Sequence, residues 1–137
     1  MTTTTTTSEE GQQLPGWELP ITPTLVVSTA IATRDFQDVH HDRDLAVMRG
    51  SKDIFLNILT TTGLVQRYVG EWAGHAALVR GCELRLGAPA YPGDTLRFTG
   101  EVVETLEVDG EQRHVVQVVG EVPLGAHVTA NVTVVLP

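Results

Sequence analysis

Asp35 and His40 are the residues of this chain best suited to chemistry. They stand at positions i and i+5 in the run Thr33-Arg34-Asp35-Phe36-Gln37-Asp38-Val39-His40-His41-Asp42. A carboxylate and an imidazole held close together share the protons of one water molecule. Adding water to a double bond, or removing it, needs that arrangement. Spacing alone decides little, because Asp and His are common in loops. An aspartate that caps a turn and a partly buried histidine would leave the same trace. The surrounding elements decide between the two readings.

Other chemistry-bearing side chains form no comparable set. His41 and Asp42 invite a metal reading. Adjacent histidines diverge on most backbones, however, and no further Cys or His falls at ligand spacing. No metal site is expected. His75, His114 and His127 fall in turn or strand positions without evident partners and read as structural or exposed. Cys82 lies in an apolar strand and reads as a small core residue rather than a nucleophile. Neither a Rossmann fingerprint nor a phosphate-gripping glycine loop is present, so no redox or nucleotide cofactor is implied.

The elements that must position Asp35 and His40 are legible in part. Residues 1–16 read as a disordered tail, with repeated threonine followed by Ser8, Glu9, Glu10 and Gly11. Trp17 and Leu19 read as the point where the chain docks on a domain spanning 17–137. Pro15, Pro20 and Pro23 keep that segment extended. Thr24–Thr33 reads as a strand, because Leu25, Val26, Val27 and Ile31 alternate loosely with Thr and Ser. The run 34–52 reads as a loop with one helical turn at Leu45–Met48.

Asp53–Val69 is the best helix candidate. Ile54, Ile58, Val65 and Val69 recur at helical offsets, Ser51 or Asp53 supplies a cap, and Gly70 or Gly74 ends it. Its apolar circumference predicts a buried helix. Ala77–Leu86, Leu96–Val108, Val115–Val122 and Ala126–Leu136 read as strands. Asp109-Gly110 is a hairpin signal. One strand, a loop, a long helix and four antiparallel strands make a two-layer α+β domain.

Composition bounds the function. With 137 residues the chain supports one domain with a sizeable core. A formal net charge of −8 argues against nucleic acid as a general partner. The single cysteine excludes an intrachain disulfide. No apolar run approaches a membrane span, and the threonine-rich start lacks the features of a secretory signal. A cytoplasmic protein is expected.

The element order, with the turn Tyr91-Pro92-Gly93-Asp94-Thr95-Leu96 leading into a long strand, resembles the hot-dog fold. That fold is a curved antiparallel sheet wrapped around one long central helix. The run from Asp35 to His40 resembles the MaoC-like, or (R)-specific enoyl-CoA hydratase, branch, whose pattern is Gly-Asp-x-Asn-Pro-Leu-His with a small residue six positions later. Asp35, Val39, His40 and Ala46 match. Arg34, Gln37 and Asp38 replace the glycine, asparagine and proline. The stretch Ser28–Val69 is similar to the small MaoC-type subunit of the actinobacterial hydratase of steroid side-chain degradation, which works with a larger MaoC-type partner.

The resemblance implies a hydratase acting on a 2-enoyl-CoA thioester with a bulky steroid-derived acyl group. It assigns the acid-base work to Asp35 and His40. The family's oxyanion donor, a His-Gly pair near the helix start, is replaced by Leu56-Asn57. Asn57 is the candidate through its backbone N–H or its amide, with an ordinary polar helix residue as the other reading. Coenzyme A, part of the substrate, is polyanionic. Lys52, Arg80 and Arg85 are candidates to hold it, with Arg49, Arg67 and Arg97 as further basic groups.

The small residues Thr60, Thr61, Thr62 and Gly63 either leave room for the acyl group or pack closely on the sheet. An open sheet edge implies a dimer, with itself or with a second MaoC-type chain. Two alternatives remain at this point. One is a hot-dog thioesterase, which Asp53 and Glu71 are poorly placed to serve. The other is a non-catalytic acyl-CoA-binding subunit, which the presence of both Asp35 and His40 disfavours.

Overall fold

The structure, a computed structural model, describes residues 9–137. Strand β1 (Gln13–Pro20) is followed by helix α1 (Pro23–Ala32), a 3-10 turn (Asp38–His40), helix α2 (Arg43–Met48) and the long helix α3 (Ile58–Ala73). Strands β2 (Leu78–Leu86), β3 (Thr95–Val108), β4 (Glu111–Val122) and β5 (Gly125–Val135) complete the chain. All pairs are antiparallel, in the order β1-β3-β4-β5-β2. The sheet packs on α3 through Leu64, Val65, Tyr68, Val69 and Ala73, all buried. This is the hot-dog arrangement that the resemblance implied.

Two expectations near the N-terminus are overturned. The strand expected at Thr24–Thr33 is helix α1. Thr22 caps it by accepting from the Leu25 N–H at 3.0 Å, and Pro23 sits in its first turn. The hydroxyls of Thr29 and Thr33 bond back to carbonyls four residues earlier, at 2.6 and 2.8 Å. The β-branched residues therefore find helical partners, and Val26 and Ala30 face the core. The true first strand is β1, so the tail boundary expected at residue 16 is too late. Residues 1–8 of that tail lie outside the described residues.

Strand β1 tolerates Pro15 and Pro20 because it is an edge strand. Pro15 and Gly16 occupy the irregularity between Leu14 and Trp17. Trp17 then stacks on Phe98 at 5.3 Å, and Phe98 stacks on Tyr68 at 5.6 Å. The Tyr68 hydroxyl donates to the Pro15 carbonyl at 2.7 Å, tying α3 to the strand.

The long helix starts five residues later than expected, at Ile58 rather than Asp53, and runs to Ala73. Residues 53–57 are pulled straight by two cross-links. The Phe55 N–H donates to the Val39 carbonyl and the Leu56 N–H to the Ala90 carbonyl, both at 3.2 Å. Asn57, not Ser51 or Asp53, occupies the cap position. Gly74 closes the helix at φ +99°, as expected of a glycine there. The Asp109-Gly110 hairpin has both residues at positive φ, +52° and +79°, as a type I′ turn requires.

His127 is structural, as expected, but it is not without partners. His127 is 2% exposed and has two partners. The Ala88 carbonyl accepts from Nδ1 at 2.7 Å, so Nδ1 carries the proton and Nε2 accepts from the Thr61 hydroxyl at 2.8 Å. Burial pushes its pKa down, against the smaller opposing effect of the Ala88 bond; burial also lowers that of His114. Groups held neutral in the fold but free to protonate when unfolded lose stability as pH falls. The loss begins near the ordinary histidine value of 6.5 and continues down to the lowered folded values. The melting temperature should therefore fall between about pH 7.5 and pH 5. His127→Gln should flatten that dependence while lowering stability at the upper end, as followed by circular dichroism melts.

Candidate active site

The position of Asp35 is set by how α1 ends. The Arg34 N–H bonds the Ile31 carbonyl at 3.0 Å and the Asp35 N–H bonds the Ala30 carbonyl at 2.8 Å. This crossed pair is a Schellman closure, and its pivot, Arg34, takes φ +57°. The left-handed position is one that a glycine, the residue of the family pattern here, adopts without steric cost. The His41 Nε2–H donates to the Asp35 main-chain carbonyl at 2.6 Å, holding the backbone from the other side. Phe36 lies against the His41 ring at 6.1 Å.

The 3-10 turn then brings His40 back to Asp35. Asp38 begins it where the family pattern has proline. Its carboxylate accepts from Arg49 Nε, at 2.7 and 2.8 Å to the two oxygens, which fastens the turn to the end of α2. Asp42 caps α2 through the Leu45 N–H at 3.1 Å. Ala46, the small residue of the pattern, is fully buried beneath.

His40 Nε2 and Asp35 Oδ2 lie 3.5 Å apart, with side-chain exposures of 7% and 21%. His40 Nδ1 is 2.7 Å from the Phe55 carbonyl. A carbonyl only accepts, so Nδ1 carries a proton, and in the neutral tautomer Nε2 is the acceptor. The carboxylate also presents lone pairs. In that tautomer Nε2 and Oδ2 are both acceptors. A donor with two hydrogens, such as water, satisfies both. The Phe55 ring meets the His40 ring edge-on at 4.9 Å and walls off one side.

Asp35 is held by further donors. Its Oδ1 accepts from the Gln37 N–H at 3.3 Å, and its Oδ2 from Asn57 Nδ2 at 3.2 Å. The same Asn57 nitrogen donates to Thr33 Oγ1 at 2.8 Å. Asn57 Oδ1 accepts from the Thr60 hydroxyl. Both amide hydrogens of Asn57 are thus directed at Thr33 and Asp35. The Asn-to-carboxylate contact lay beyond what spacing reveals, since 22 residues separate the partners.

The basic candidates separate. Arg80 is committed to Glu111, with bonds of 2.9 and 2.8 Å, and that pairing holds Glu111 down at about 2. Arg49 pairs with Asp38, Arg67 with Glu71 and Arg97 with Glu18. Lys52 Nζ lies 5.8 Å over the Tyr91 ring, which meets Phe55, the neighbour of His40, edge-on at 6.5 Å. Arg85 is exposed on β2. Among the described residues no carboxylate pairs with Lys52 or Arg85. Asp53 Oδ1 accepts from the Ile54 N–H at 2.7 Å, and Glu71 is tied to Arg67. Among the described residues no group of three or more His, Cys, Asp or Glu side chains is arranged to hold a metal ion.

The hot-dog sheet on α3, with an Asp–His pair between the end of α1 and the start of α3, defines a class. Residues 5–123 match the family described as MaoC like domain, and the chain belongs to that family. Among its relatives is the 3-oxo-4,17-pregnadiene-20-carboxyl-CoA hydratase beta subunit of Mycobacterium tuberculosis. The two are 61% identical over 122 residues, 89% of this chain and 92% of the relative. The crystal structure of the ChsH1-ChsH2 complex from M. tuberculosis contains a chain of the same fold. It superposes with a TM-score of 0.88 at 56% identity, covering 96% of this chain and 100% of that one. An (R)-hydratase from A. caviae shares the fold alone, with a TM-score of 0.84 at 21% identity over 95% and 98% of the two chains.

The Schellman closure gives a direct test. Relief of a left-handed arginine, at about 1–2 kcal/mol, outweighs the added chain entropy of glycine, at about 0.4–1 kcal/mol. Arg34→Gly should raise the unfolding free energy by roughly 0.5–1 kcal/mol in urea titrations, by the difference of those two effects. Arg34→Val, β-branched at positive φ, should lower it.

Proposed function

We propose that this chain is the catalytic small subunit of an enoyl-CoA hydratase. It adds water to a 2-enoyl-CoA thioester that carries a bulky steroid-derived acyl group. The observation that carries the mechanism is the pair of facing acceptors, His40 Nε2 and Asp35 Oδ2, at 3.5 Å. A water between them gives one hydrogen to each and turns an oxygen lone pair outward, toward C3 of the enoyl group. As the C3–O bond forms, the water proton passes to the pair. A proton reaches C2 as the enolate collapses. The net change is one water added across one double bond, which calls for no redox partner or metal.

Charge that builds on the thioester oxygen needs donors. Asn57 occupies the cap position of α3, yet its side chain makes no cap bond to the helix. The leading N–H groups of α3 are therefore not covered by the residue that normally covers them, and they form the oxyanion site in this reading. The Asn57 side chain faces Asp35 and Thr33, so its own contribution there is limited to its backbone N–H. Lys52 and Arg85 remain the groups of this chain suited to the coenzyme A phosphates; Arg80 is committed to Glu111. A coenzyme A thioester as substrate fits a cytoplasmic protein, and no helix among the described residues is long and apolar enough to cross a membrane.

Steroid size comes from the relative's activity, and two structural facts support it. Thr60 and Thr61 are buried and bonded, so they leave no room on the sheet side of α3. Ile58 and Leu59, by contrast, are 51% and 53% exposed, and a Cβ at Gly63 would meet nothing within 4 Å. The space and the apolar lining lie on the outer face of α3. The edge strand β2 likewise exposes Leu78 and Val79. A second MaoC-type chain seated there completes the acyl pocket and removes the open edge. The similar M. tuberculosis structure is likewise a complex, of ChsH1 with ChsH2.

The test uses this chain with and without its co-expressed partner. Asp35→Asn and His40→Ala should each lower turnover of a steroid enoyl-CoA by about two to four orders of magnitude, with the double variant little worse. Loss of enoyl absorbance is the readout. Near-normal turnover in a folded single variant removes that residue from the mechanism. The complex should also show a higher kcat/KM for steroid enoyl-CoA than for crotonyl-CoA. The opposite order leaves a hydratase but overturns the steroid assignment.

A further inference from the structure

We infer that Asn57 is a positioning residue for Asp35, acting through a buried relay that starts at Thr60 and ends on the carboxylate. The inference rests on the hydratase reading for its catalytic consequence, but the relay itself is a matter of geometry. Asn57 is 2% exposed and Thr60 6%. The Thr60 hydroxyl donates to Asn57 Oδ1. The amide nitrogen then donates to Asp35 Oδ2 at 3.2 Å and to Thr33 Oγ1 at 2.8 Å. Thr33 is free to accept because its own hydroxyl hydrogen goes to the Thr29 carbonyl at 2.8 Å.

The direction of the relay is not arbitrary. Turning the amide over would set Oδ1 against an ionised carboxylate and leave two acceptors in contact. The carboxylate therefore selects the amide orientation, and Thr60 locks it. Asn57 and His40 address the same oxygen, Oδ2. One lone-pair direction of that oxygen is filled by the amide, and the water shared with His40 takes another. The amide donor thus fixes where the water sits. The titratable groups that face Asp35 are His40 from the 3-10 turn and His41, which reaches only its backbone carbonyl. Arg34 is exposed beside it.

The role differs from both earlier readings of Asn57. An oxyanion donor bonds the substrate, and an ordinary helix residue bonds nothing of consequence. A positioning donor alters the acid limb of the rate profile and lowers kcat more than it changes KM. Asn57→Asp keeps the shape and replaces the donor by an acceptor; Thr60→Val removes the lock while leaving the amide in place. Both variants are made in the complex with the partner chain, with folding checked by circular dichroism.

Asp35 is titrated directly by carbon NMR of its carboxylate, which needs no activity. Asn57→Asp should move the Asp35 titration curve to higher pH, since a second carboxylate replaces a donor. The acid limb of kcat/KM should move with it, kcat should fall by about 100-fold, and KM should stay within about threefold. Thr60→Val should move both quantities the same way by a smaller amount. An unmoved Asp35 titration in Asn57→Asp overturns the inference whatever the activity. So does a rate loss that is uniform across pH, which is the mark of a lost oxyanion donor. A shifted titration in a chain that hydrates no enoyl-CoA upholds the relay and overturns the hydratase reading instead.

Discussion

The hydrogen bond from His40 Nδ1 to the Phe55 carbonyl, at 2.7 Å, is the constraint on which the site depends. It decides the tautomer and thereby turns Nε2 into an acceptor. It also demands that the Phe55 carbonyl be available, which a residue inside a helix would not offer, its oxygen being bonded four residues on. The five-residue delay before α3 begins follows from this. Residues 53–57 stay extended because Val39 and Ala90 hold their N–H groups and His40 holds a carbonyl. The late start in turn sets Asn57 at the head of the helix, within reach of Asp35. A helix starting at Asp53 would destroy the tautomer lock and the carboxylate support together.

The parts legible in the sequence are those governed by local periodicity or turn chemistry. The strands β2, β3 and β5 and the Asp109-Gly110 turn fall where alternation and turn residues put them, while β4 starts at Glu111, four residues before the expected Val115. The Asp35–His40 pair was likewise legible, because a family pattern spans it. Helix α1 was not. Val26, Val27 and Ile31 favour strand, and only Thr22-Pro23 together with Val26 and Ala30 at a four-residue interval pointed to a helix. Strand β1 was concealed by two prolines and a glycine, which an edge position tolerates. The Asn57 relay was invisible for a different reason. Its partners, Thr33 and Asp35, are distant in sequence, and an asparagine at a helix start already has an ordinary explanation as a cap.

The departures from the family pattern illustrate how a backbone is kept when its side chains change. Arg34 adopts the left-handed angle without glycine's freedom, because two crossed bonds to α1 and the His41 bond to Asp35 over-determine the turn. Asp38 starts the 3-10 turn without proline's fixed φ, because Arg49 anchors its carboxylate. In each case a hydrogen-bonded tether substitutes for an intrinsic conformational bias. The distance between Asp35 and His40 is preserved by tethers that lie outside the pair.

The two buried histidines His40 and His127 share one anchor and differ in what faces the other ring nitrogen. Each gives its Nδ1–H to a backbone carbonyl at 2.7 Å, and each is almost fully buried. They differ only at Nε2. That of His127 accepts from the Thr61 hydroxyl, so the ring is satisfied at both ends and holds α3 to β5. That of His40 faces a carboxylate oxygen, a second acceptor. An acceptor opposed to an acceptor is unfavourable until a donor comes between them. The geometry in which Nε2 and Oδ2 face each other is thus a property of the whole arrangement, since Asn57 and Gln37 hold the carboxylate from one side and Phe55 holds the ring from the other.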